Sequence, residues 1–201
     1  MSQTPRDDTS ATPPGTLGLS RDKLRRLQPE LLYPLRWWLA RKRMIAGHKR
    51  GRKYLLTHVQ EHLMLGAANP ALVVSLKPLR IAAYTSDLDC VALLHFAPGF
   101  ARDYQLAVGQ RLLSINTYAA RDKGIAADLR EGPGATGRWG NFAPYIAEFL
   151  SDDTAAIEGC KLRLAAGYAR AAELAPLWIA ERGSLARDGR PLFCSLEAHI
   201  R

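Results

Sequence analysis

Cysteine is scarce in this sequence. Three cysteines, Cys90, Cys160 and Cys194, stand far apart with no C-x-x-C pair. An odd, widely spaced set excludes a disulfide framework and a cysteine zinc site, and it reads as reduced thiols in a reducing, cytoplasmic compartment. Long apolar runs are missing too. No stretch approaches ~18 uninterrupted apolar residues, which excludes a spanning helix. Residues 1–20 lack the basic-then-apolar order of a secretory signal, so none is expected. There is no G-x-S-x-G elbow and no G-K-[ST] phosphate loop. Helix-turn-helix spacing, paired aromatics of an RNA-binding sheet and zinc-finger spacing are also absent, so a sequence-specific nucleic-acid reader is not expected. Acid is missing from one long stretch, between Glu30 and Glu61.

What is present suits a folded domain. The chain has 201 residues, 47% of them hydrophobic and 23% charged, with a formal net charge of +9. That composition excludes a wholly disordered chain and fits one domain, or one domain with a helical appendage. Residues 1–19 are rich in Thr, Ser, Pro and Gly, with few large apolar side chains, so a disordered tail is expected there. A basic helical segment is expected over 20–66. Ser20 is a good N-cap, and Leu24 and Leu27 follow at helical spacing. Leu31, Leu35, Trp38 and Leu39 continue a helical stripe past Pro29 and Pro34. Leu55, Leu56, Val59 and Leu63 line a further helix, which Gly66 closes.

Residues 67–201 are expected to form an α+β body, one globular unit with the segment before it. Short β-branched and apolar runs at 71–76, 79–84, 90–96 and 111–118 predict a small antiparallel sheet or partly open barrel. Residues 119–141 read as a long loop that is either mobile or functional. Tyr145, Ile146, Phe149 and Leu150 predict a short helix. A longer helix is predicted to follow and to stop at Pro176, so that C-terminal helices pack on the sheet. The expected fold class is therefore α+β.

Charge is unevenly placed. Residues 1–65 carry 13 basic and 5 acidic side chains, whereas residues 66–201 carry 15 and 14. Arg36, Arg41, Lys42, Arg43, Lys49, Arg50, Arg52 and Lys53 fall in the stretch without acid. Such a cluster steers polyanions, and against nucleic acid it gives salt-sensitive binding. Trp38 lies on the apolar stripe and reads as a core residue. Trp37 lies off it, beside cations, and reads as a stacking platform, an interfacial anchor or a second packing face. Trp37 and those eight cations are the candidate anion-binding residues. The plainer reading is a solvated helix face.

Two motifs carry other chemistry. His58, Glu61 and His62 spell H-x-x-E-H on a helix, with both imidazoles on one face and Glu61 placed as a general base. The motif resembles that of the inverzincins, which implies a zinc-dependent hydrolase; no later motif supplies a third ligand. Residues 91–116 include Leu106, Gly109, Leu112, Leu113, Ile115 and Asn116, with Gln110 and Thr117 between and after them. This segment resembles the central part of PDZ domains. Gln110 stands where that family has an acid, and Thr117 where it has a glycine. The resemblance implies a peptide groove beside 79–84, with Pro78, Leu79, Arg80 and Ile81 at the carboxylate-binding loop. No cofactor, bound metal or catalytic residue is assigned. The expected function is a non-enzymatic module whose basic helices meet an acidic partner: a nucleic-acid backbone, an anionic membrane surface or an acidic protein.

Overall fold

A computed structural model describes residues 13–41, 52–182 and 185–194. Helix α1 (Arg21–Leu27) is opened by Ser20, whose side chain accepts the Lys23 N–H, and it buries Leu24 and Leu27. A short 3-10 turn at Pro29–Leu31 separates it from α2 (Pro34–Arg41) and α3 (Arg52–Leu65). Gly66 closes α3 by donating its N–H to His62 O.

Part of the expected tail is built into the fold. Residues 1–12 lie outside the described residues, but 13–19 run extended against the end of α3. Gly15 N donates to Gly66 O and Leu17 N to Leu63 O, and Pro14 bridges Ala67. Leu17 is fully buried. One deeply buried leucine and four backbone hydrogen bonds to the end of α3 and the start of β1 hold a stretch whose composition alone promised none.

Six strands make a mixed half-barrel sheet: β1 (Ala67–Leu76), β2 (Leu79–Thr85), β3 (Cys90–His95), β4 (Arg111–Ala120), β5 (Trp139–Ile146) and β6 (Arg187–Asp188). Their order is β5-β4-β1-β2-β3-β6. Pairing is antiparallel except at the β3–β6 edge, which is parallel. Pro70 is tolerated in central β1 because pairing with β2 begins only at Ala71. Both sheet faces are covered. Leu24, Leu55 and Leu63 from the N-terminal helices join Ile81, Leu94 and Ile115 in one core. On the other face α6 (Ala165–Arg182) lays Tyr168, Ala171, Leu174 and Trp178 over Leu72, Ala82 and Leu93. The fold is α+β, as the sequence pattern predicts.

Two local expectations are corrected. Tyr145 and Ile146 end strand β5, and only residues Ala147–Phe149 make a helical turn, because Ile115 and Ser114 of β4 pair with them. The long helix breaks at Leu164 between α5 (Thr154–Arg163) and α6, and α6 runs on through Pro176. The loop after β4 is tied down along its length. Arg121 pairs with Glu131, Thr136 N donates to Asp87 O, and Gly134 N donates to Asp89 Oδ2.

Candidate functional site

The basic segment is described only at its two ends. Lys42, Arg43, Lys49 and Arg50 lie outside the described residues. Arg41 ends α2 and Arg52 begins α3. Arg36 is exposed, with its guanidinium carbon 5.7 Å from the Tyr33 ring centroid, and Lys53 is exposed at the start of α3. Among the described side chains of residues 13–65, Lys23 is the one cation that pairs with a carboxylate from beyond residue 66, Asp152 at 3.4 Å.

Of the readings open to Trp37 the packing face fits, whereas Trp38 is not the core residue its spacing predicts. Trp37 is half-buried against the main core, whereas Trp38 is 54% exposed and Leu35 72% exposed. The stripe through Leu31 and Leu35 is not one helix. The 3-10 turn and the bend at Leu32 and Tyr33 reset the helical phase, so α2 turns Trp37 inward and Leu35 and Trp38 outward. Tyr33 is exposed beside them.

The H-x-x-E-H residues do not converge. His62 is buried and stacked on Tyr145, with ring centroids 3.7 Å apart. Its Nε2 lies 2.8 Å from Ile115 O and therefore carries the proton, which leaves Nδ1 to accept from Thr117 Oγ1 at 3.2 Å. Both nitrogens are committed to the fold, and burial holds the imidazole pKa down to about 3. Glu61 is exposed, and the recess lined by His58 and Val59 has a volume of about 20 Å³, room for one water. Among the described residues no group of three His, Cys, Asp or Glu side chains is placed to hold a metal.

The segment that resembles PDZ domains does form strand β3, Pro-Gly turn, short helix α4 (Gly99–Asp103) and strand β4, with Gly109 at φ +82°. The groove implied with it is closed. Strand β2 is hydrogen-bonded to β1 on one side and β3 on the other, so no peptide strand can add along Leu79–Thr85.

A second feature gave no sequence signal. A groove of about 460 Å³ opens between α6 and the end of β1. Its floor is Leu72, Val73 and Val74, and one wall is Ala172, Ala175 and Ile179. Val108 and Gly109 form the opposite rim, held there by Gly109 N donating to Val73 O. No charged or polar side chain lines it. These residues come from three distant stretches, which is why no local pattern announced it. Two forked ion pairs, one buried and one partly exposed, were equally silent. Arg187 forks onto Asp128 and also donates to Phe142 O and Asn141 Oδ1, while Arg170 forks onto Asp89. The Arg170 pair, with the Gly134 N–H, holds the Asp89 carboxyl below the usual carboxylate range.

Comparison with protein-family models, with curated proteins and with solved structures gives no match for this chain. Among the described residues no helix is long and apolar enough to cross a membrane.

Proposed function

We propose that this protein is a binding module whose basic N-terminal helices associate with an acidic surface, and that the surface is an anionic lipid leaflet. The single observation that carries the choice is the outward face of α2, where Leu35 and Trp38 stand exposed beside Arg36. An exposed leucine offers nothing to a phosphodiester backbone. At a leaflet it enters the boundary between headgroups and acyl chains, with tryptophan and tyrosine at headgroup level and cations on the lipid phosphates. Each cation near such a surface contributes about 1 kcal/mol, and the stretch from Glu30 to Glu61 supplies eight with no acid between. The three described thiols are free and buried, which supports a reducing, cytoplasmic setting.

The test is co-sedimentation of the full chain with phosphatidylcholine vesicles, with and without phosphatidylglycerol, across a salt series. Binding is expected only with phosphatidylglycerol and is expected to weaken as salt rises. Replacing Arg41, Lys42 and Arg43 by Gln is expected to cost about 3 kcal/mol, roughly a hundredfold in affinity. Leu35→Ser with Trp38→Ser is expected to lower it further at unchanged charge. Binding that survives both sets of changes overturns the reading. So does tight binding to duplex DNA or RNA with none to the mixed vesicles.

A further inference from the structure

The groove beside α6 lies on the opposite sheet face from the core packed by α1 and α3, and the basic helices do not explain it. Its size falls within the range of small-molecule pockets, and its lining is wholly aliphatic. Arg111 follows the Val108–Gly109 rim two residues on, at the start of β4. Arg111 is the cross-strand partner of Leu72 in the antiparallel pair, so the two side chains leave the sheet on the same face. The Arg111 guanidinium is held 5.0 Å above the Tyr168 ring, one helical turn before Ala172. A cation therefore stands at one end of the aliphatic trough, exposed to solvent.

Arg111 has no ion-pair partner among the described residues. Glu148 and Glu158, the carboxylates that act on Tyr168, are both already paired with Lys161 Nζ, at 2.7 and 2.8 Å. Tyr168 in turn donates its hydroxyl to Leu112 O, which fixes the ring that carries the guanidinium. An apolar trough with an uncommitted, pre-positioned guanidinium at its end is complementary to a ligand that is hydrocarbon along its length and anionic at one tip.

We propose that this groove binds one fatty-acid molecule, its chain lying between α6 and β1 and its carboxylate on Arg111. Gly109 and the alanines of α6 leave space for the chain, and Arg111 reads the head.

The experiment is calorimetric titration of the full chain, without vesicles, by monomeric dodecanoate and by dodecanol. Saturable binding of one dodecanoate is expected, tighter than dodecanol, with affinity rising roughly fourfold per added methylene from octanoate upward. Arg111→Gln is expected to weaken dodecanoate about tenfold and to leave dodecanol unchanged. Ala172→Trp, at an exposed position of the wall, is expected to abolish both. Val108→Asp at the exposed rim is the second variant should the first fail to fold, and it is expected to repel the carboxylate ligand. Absence of saturable binding overturns the proposal, as does equal weakening of both ligands by Arg111→Gln. Concentration-dependent dimerisation that Ala172→Trp or Val108→Asp abolishes also overturns it, because the groove is then an interface between two copies. The Arg41, Lys42 and Arg43 replacements are expected to leave dodecanoate binding unchanged, which separates this result from the vesicle result.

Discussion

His62 shows how one side chain sets a pH dependence for the whole fold. Its folded pKa is depressed to about 3 by burial, against about 6.5 in an exposed imidazole. Below about pH 6.5 the unfolded chain takes up a proton that the folded chain refuses. The stabilisation is therefore complete above that pH and is lost as pH falls toward 3, at up to ~1.4 kcal/mol per pH unit. Urea midpoints measured from pH 7 to 4 are expected to fall for the native protein and to fall less for His62→Phe. Arg187 is the other decisive residue. It is buried, and it donates to the Asp128 carboxylate, to Asn141 Oδ1 and to the Phe142 carbonyl. Arg187→Leu is expected to destabilise by about 3–5 kcal/mol, because it strands the Asp128 carboxylate. Adding Asp128→Leu is expected to recover part of that loss, and a double-mutant cycle by chemical denaturation measures how much.

At the scale of elements, the junction between α3 and β1 is closely packed. A Cβ on Gly66 would sit 2.6 Å from His62 O and 2.7 Å from Ile115 Cγ2, and two of its three nearest neighbours are backbone oxygens that cannot swing away. Gly66→Ala is expected to cost about 1–3 kcal/mol. Gly18→Ala, with nothing within 4 Å, is expected to be neutral or mildly stabilising by the same thermal melt. Much of this level was readable from sequence. The Ser20 cap, the closing role of Gly66 and strands β1 to β4 all follow from propensity and period, because those signals are local. The β5 strand was misread because Tyr145, Ile146, Phe149 and Leu150 have helical spacing, and only the β4 partner decides otherwise. The phase of α2 was misread because two prolines and a 3-10 turn reset it, which no stripe of apolar residues records. The aliphatic groove and the Arg187 cluster were invisible because their members are brought together from separate elements by the sheet order.

At the scale of the molecule, the sheet joins sequence-distant parts. Gln28 Oε1 accepts the Leu192 N–H, Tyr145 donates its hydroxyl to Pro191 O, and Arg190 reaches Glu30 at 3.7 Å. Residues 187–194 are therefore structural to the N-terminal helices. Ending the chain before Arg187 is expected to abolish cooperative thermal unfolding by circular dichroism, since it exposes Asp128 and leaves Gln28 and Tyr145 without those partners.

The stitch between Gln28 and Leu192 spans 164 residues. During synthesis, the helices made first must wait for a segment translated long afterwards before the buried Gln28 Oε1 is paired. A nascent chain halted before that segment emerges displays Leu24, Leu27 and Leu31 on an unfinished wall, and it is this stalled intermediate that a chaperone would engage.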